Sequence, residues 1–124
     1  MTTAKTYLEA ANAEVPRIPG GEAIAKHGSD AVFLDVRDSA DIAKSGTIKG
    51  ATRIPRGFME FAADPEMQFH NPVMQKDAEL YLVCGAGGQA ALAGKTLKEM
   101  GYTNVTNIGG IGEWKEAGGP MEDG

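Results

Sequence analysis

The chain has 124 residues, 42% of them apolar, which suits one compact α/β domain and is short for two. A formal net charge of -5, with no basic cluster to override it, argues against nucleic acid and anionic lipid as partners. No apolar run approaches the ~18 residues of a membrane span, and the first residues lack the apolar centre of a signal peptide, so a cytoplasmic protein is expected.

Residues 1–14 predict a helical extension with Tyr7, Leu8 and Ala11 on one side, and residues 15–124 a single domain. Val15 to Ile18 reads as a short edge strand broken by Pro19-Gly20-Gly21, and Glu22 to Lys26 as a short helix. Ala31 to Val36 is a near-continuous apolar run, the pattern of a strand buried on both faces. Ser39 to Lys44 predicts a helix, Gly46 to Gly50 a turn-rich passage, and Ala51 to Ile54 a strand stopped by Pro55. Residues 56–76 are undecided, with one or two helical turns around Phe58, Met59 and Phe61 before the Pro65 and Asn71-Pro72 loop signals. Glu79 to Val83 is the second strong strand and delivers Cys84 at its end. A helix is predicted from Gln89 to Met100, a strand from Asn104 to Ile108, and a last helix over Ile111 to Ala117 with Trp114 as a packing anchor. Alternating strands and helices imply a mainly parallel sheet.

Cys84 is the only cysteine, so no internal disulfide or Cys-x-x-Cys pair exists. Its position at a strand end is where parallel α/β sheets bind ligands. Gly85, Gly87 and Gly88 let the following loop bend tightly and turn N–H groups inward, next to a helix N-terminus. An anion held there is a phosphate, a thiosulfate or the Cys84 thiolate itself. A hydrogen bond to a charged group contributes roughly 1.5–3 kcal/mol, enough for two or three of them to favour a thiolate. A lone cysteine ending a buried strand is also an ordinary small core residue. Neither a Gly-Lys-Ser/Thr ending nor a Gly-x-Gly-x-x-Gly spacing is present, so nucleotide binding is weakly supported.

Four passages together resemble the rhodanese family of sulfurtransferases from about Pro16 to Pro120. They are Leu34-Asp35-Val36-Arg37, Gly46 to Ala51 with Ile54-Pro55, Tyr81 to Ala90, and Gly109-Gly110-Ile111 with Trp114 and Ala117-Gly118. The resemblance implies a rhodanese-like α/β fold, with a central, mainly parallel five-stranded sheet flanked by helices on both faces. It also implies that Cys84 takes a sulfane sulfur from thiosulfate or a persulfide and passes it to a thiol, cyanide or a sulfur-carrier protein. No cofactor is implied, and no cluster of residues has metal-ligand spacing.

Cys84 to Gln89 matches the six-residue loop of the sulfurtransferases. Related phosphatases use a loop one residue longer, closed by an arginine, where this chain has Ala90. Gly85, Ala86, Gly87, Gly88 and Gln89 are all neutral, whereas many relatives carry a loop cation. Stabilisation of the sulfur is therefore expected from the backbone N–H groups of residues 85–89, with Arg53 and Arg56 as candidate cations from elsewhere. Asp35 and Arg37 are expected to order the turn beside the site, and Thr47 stands where relatives often have histidine. His27 is expected on a surface helix and His70 exposed in the undecided segment. The neutral loop also keeps open a second reading, a catalytically weak or inactive binding module of the same fold.

Overall fold

The computed structural model describes residues 1–124. Along the chain run α1 (Ala4–Glu14), α2 (Gly20–Ala23) with a 3₁₀ turn at Ile24–Lys26, β1 (Val32–Asp35), α3 (Ser39–Ser45), β2 (Thr47–Ile48) and β3 (Thr52–Arg53). A 3₁₀ turn at Arg56–Phe58 leads into α4 (Met59–Ala63), followed by β4 (Glu79–Cys84), α5 (Gly88–Glu99), β5 (Asn104–Gly110), α6 (Ile111–Glu116) and β6 (Met121–Glu122). None of these helices is long and apolar enough to cross a membrane.

The central sheet is parallel, in the order β3-β1-β4-β5. It has four full strands rather than five. The expected edge strand near Val15 shrinks to one parallel bridge between Arg17 and Asn107. Asn107 N–H donates to Pro16 O at 2.8 Å, and Ile18 N–H to Asn107 O at 3.0 Å. Pro16 has no N–H to extend the ladder towards the N-terminus, and the Gly109 N–H that would reach Ile18 O donates instead to Asn107 Oδ1.

Side chains alternate across the sheet and so build two cores. Leu34, Leu80 and Leu82 pack with Met59, Leu97 and Tyr102 on the side of α4 and α5. Phe33, Tyr81 and Val83 pack with Ile108, Ile111 and the fully buried Trp114 on the side of α2 and α6. Helices thus cover both faces, as a sheet of near-continuous apolar strands requires. The helix α1 lies against α5 with Ala11 buried, but Tyr7 is 58% exposed and contributes no core surface.

Three further features differ from expectation. The passage read as turns contains β2, which pairs antiparallel with β6 to fasten the C-terminal residues. In addition, His27 is not on an exposed helix face: it follows the 3₁₀ turn, half-buried between Phe33 and Trp114, with Nε2 2.7 Å from Lys49 O. His70 is half-buried too, with Nε2 3.0 Å from Met74 O.

Candidate active site

The parallel sheet places the ends of β1, β4 and β5 side by side, and Cys84 ends the inner strand β4. The ladder to β5 shifts register between Leu82 and Cys84, which sets Cys84 opposite Gly110. Gly110 is required there, because a Cβ would collide with the carbonyl oxygen of Gly85. The chain then turns through Gly85 and Ala86 to Gly87, which caps α5 with φ +106°. That conformation strains any residue with a Cβ. A Cβ at Gly87 would also lie 2.7 Å from Arg17 Cζ.

This turn aims two backbone donors at the sulfur. Cys84 Sγ accepts from Gly87 N–H at 2.9 Å and from Ala90 N–H at 3.4 Å. The second donor lies one residue beyond the expected range, because the first turn of α5 curls back over the sulfur. Gly85, Ala86, Gly88 and Gln89 do not donate to it, although all four line the pocket above. The N–H groups of Gly85, Ala86 and Gln89 make no hydrogen bond within the protein, so they are free to meet a ligand.

Cys84 is 2% exposed and sits at the base of a pocket of about 590 Å³. One wall is the loop; the other is Arg37 with Asp41, Lys44 and Ser45 from α3. A similar cavity of about 660 Å³, lined by His27, Phe33 and Lys49, flanks the N-terminal end of β1, away from Cys84.

Asp35 and Arg37 form a buried pair. Arg37 Nη2 is 2.8 Å from Asp35 Oδ2, and Nε is 3.0 Å from Oδ1. Arg37 also donates to Ser45 Oγ at 2.7 Å and to Gly46 O at 2.8 Å, while Thr47 Oγ1 donates to Asp35 Oδ2 at 2.6 Å. This network fastens α3 to the end of β1. It leaves the Arg37 charge facing the pocket but balanced by Asp35. Lys44 makes no salt bridge.

Arg53 and Arg56 do not line this pocket. Arg53 pairs with Glu122 at 3.3 Å and donates to Asp123 O at 2.9 Å. Arg56 pairs with Glu60 at 3.0 Å and donates to Thr96 Oγ1 at 3.0 Å. The cause is topological: β3 lies beyond β1 from β4, about two strand spacings or ~10 Å from Cys84. The cations that do line the pocket, Arg37 and Lys44, follow β1, the neighbour of β4. The signal for Lys44 was its place on the first helix after that strand end.

Behind the loop, Arg17 Nη2 donates to Ala86 O at 3.2 Å and to Glu113 Oε1 at 3.3 Å. Asn107, fully buried, donates from Nδ2 to Gly87 O at 2.9 Å and accepts from Gly109 N–H at 2.8 Å. No sequence motif marked either residue.

Residues 21–117 match the model of the rhodanese-like domain. The chain is 29% identical over 83 residues to the "Putative sulfur carrier protein YrkF" of Bacillus subtilis, and the match covers 66% of this chain but 40% of that relative's length. Among solved structures, a protein of unknown function and "Possible Tyrosine Phosphatase" from Rhodopseudomonas palustris superposes with a TM-score of 0.92 at 36% identity, covering 98% of this chain and 96% of that one. The polysulfide-sulfur transferase homodimer of Wolinella succinogenes gives 0.73 at 27% identity, covering 97% and 87%. The parallel sheet, the cysteine loop at the end of its inner strand and the match over most of the chain agree: this chain belongs to the rhodanese-like domain family.

Proposed function

We propose that this chain is a sulfurtransferase in which Cys84 carries the transferred sulfur as a persulfide. The observation that carries the reading is the pair of backbone N–H groups held on Cys84 Sγ at the base of an open pocket. Backbone donors in this position can stabilise negative charge on the attacking sulfur and on the persulfide it forms.

With thiosulfate as donor, the Cys84 thiolate attacks the outer sulfur. A new S–S bond forms, the old one breaks, and sulfite leaves with the bonding electron pair. Three negative charges enter the step and three leave it. In the second step cyanide, or a thiolate that is free or carried by a sulfur-carrier protein, attacks the outer sulfur of the persulfide; the new bond forms to that sulfur, the S–S bond to Cys84 breaks, and the Cys84 thiolate is restored. One cysteine suffices, since no resolving thiol takes part. The free N–H groups of Gly85, Ala86 and Gln89, with Lys44 across the pocket, suit the oxygens of the dianion. The sulfur-handling names of the Bacillus and Wolinella relatives support this class of chemistry. The catalytic unit is read as residues 15–124 with residues 1–14 as an extension, in the reducing cytoplasm that suits a free thiol.

Phosphate-ester transfer is less well supported. Residues 84–94 contain no arginine to grip three equatorial oxygens. The test is thiocyanate formation from thiosulfate and cyanide. Wild-type protein is expected to produce it and Cys84→Ser to produce none. Equal background rates in both would instead mark the loop as a binding module.

A further inference from the structure

We infer that Arg17 is a positioning residue for Cys84, supplying from behind the loop the positive charge that the loop itself lacks. The inference rests on the reading of Cys84 as the reactive sulfur. It concerns a single peptide unit, Ala86–Gly87. In a trans peptide the C=O and N–H point in opposite directions. The carbonyl of Ala86 accepts from Arg17 Nη2 at 3.2 Å, and the N–H of Gly87 donates to Cys84 Sγ at 2.9 Å. The guanidinium and the sulfur thus grip the two ends of one dipole.

Two consequences follow from that arrangement. The first is geometric: while Arg17 holds the Ala86 carbonyl, the peptide cannot flip and present an oxygen to the sulfur. The second is electrostatic: a cation on the carbonyl side polarises the unit, so its N–H becomes a stronger donor to a negative sulfur. The surroundings are shaped for this contact. Arg17 is placed by its bridge to Asn107, and Asn107 Nδ2 holds the next carbonyl, that of Gly87, at 2.9 Å. Gly87 and Gly109 have no side chain to displace the guanidinium, whose Nη2 would lie 3.0 Å from a Cβ at either position.

Glu113 opposes the effect. Its carboxylate, 3.3 Å from Arg17 Nη2, offsets part of the charge. Arg17 and Glu113 are both about half-exposed, so neither holds the core together. The other charged groups around Cys84 are Arg37, Asp41 and Lys44 across the pocket, with Asp35 on β1 balancing Arg37. The strand β5 and the first turn of α5 carry none, and α1 presents Leu8 beside Gly88.

The test is the pH profile of Cys84 alkylation by iodoacetamide, which needs no sulfur donor. Arg17→Gln is expected to move the profile to higher pH and slow alkylation at neutral pH by about two- to tenfold, the size of one charge acting over ~8 Å. Glu113→Gln is expected to move the profile the other way by less. Arg17→Lys is expected to fall between wild type and Arg17→Gln, keeping the charge but losing the planar fork. An unchanged profile in Arg17→Gln overturns the inference, as does a shift of Arg17→Gln and Glu113→Gln in the same direction, which would report a loosened loop. Failure of the sulfurtransferase reading shows separately, as absence of thiocyanate formation by wild-type protein.

Discussion

The wall of the Cys84 pocket built by residues 85–90 carries no side-chain charge, whereas the opposite wall carries Arg37, Asp41 and Lys44. The first acts on the sulfur itself through two short backbone contacts at a buried atom. The second faces the pocket mouth, where Arg37 is balanced by Asp35 and Lys44 is exposed. Buried hydrogen bonds are shielded from solvent, while exposed charges are screened over about 8 Å at physiological salt. Under the proposed function, the backbone wall would activate the sulfur and the charged wall would attract the donor.

The largest effect is expected from Asp35→Asn. It leaves Arg37, 6% exposed, without its counter-ion, and breaking a buried pair costs about 3–5 kcal/mol. Urea unfolding should show a lower midpoint with an unchanged slope. A cost below about 1 kcal/mol would mean that the Asp35–Arg37 pair does not fix the charged wall.

Gly87→Ala addresses the backbone wall. The new Cβ forces both the φ of +106° and the Arg17 contact to change, so the Gly87 N–H leaves the sulfur. Losing a hydrogen bond to a charged atom is worth roughly 1.5–3 kcal/mol, so Cys84 alkylation at neutral pH should slow by about 10–100-fold. Unaltered alkylation would detach the backbone wall from sulfur activation.

Gln89→Arg adds a cation to the neutral wall. Gln89 is exposed, so the ~3 kcal/mol of gross attraction at 5 Å is reduced by solvent, and a rise in thiosulfate turnover of about tenfold is expected. No rise would show that the missing loop cation does not limit the rate.

Lys44→Ala should have the smallest effect. One exposed ammonium facing a dianion across several ångströms of water contributes about 1 kcal/mol. The KM for thiosulfate should rise about fivefold with kcat unchanged, and the difference should shrink in high salt. A fall in kcat instead would place Lys44 on the sulfur rather than on the donor.

Legibility in the sequence followed the range of each interaction. The apolar runs at Phe33–Leu34 and Leu80–Val83, and the glycine-rich turn after Cys84, are local patterns, and the sheet and loop follow from them. The strands β2 and β6 are two residues each, too short for any periodicity, and they exist only through pairing across the chain. The placement of the cations depends on the same long-range order: Arg37 lines the pocket. Arg53 and Arg56 lie in a matched passage, but strand order separates them from Cys84. Arg17 reaches Ala86 across 69 positions, a contact that only the closed sheet creates. Extending the loop donors from Gln89 to Ala90 needed the actual pitch of the first turn of α5.

The central claim is that Cys84 holds a transferred sulfur atom. Its most direct test is the intact mass of the full chain after thiosulfate treatment and removal of excess reagent. Wild-type protein should gain the mass of one sulfur atom, lose it on addition of cyanide, and show no gain as Cys84→Ser. Wild-type protein that gains no sulfur, or a Cys84→Ser variant that gains it equally, would contradict the account.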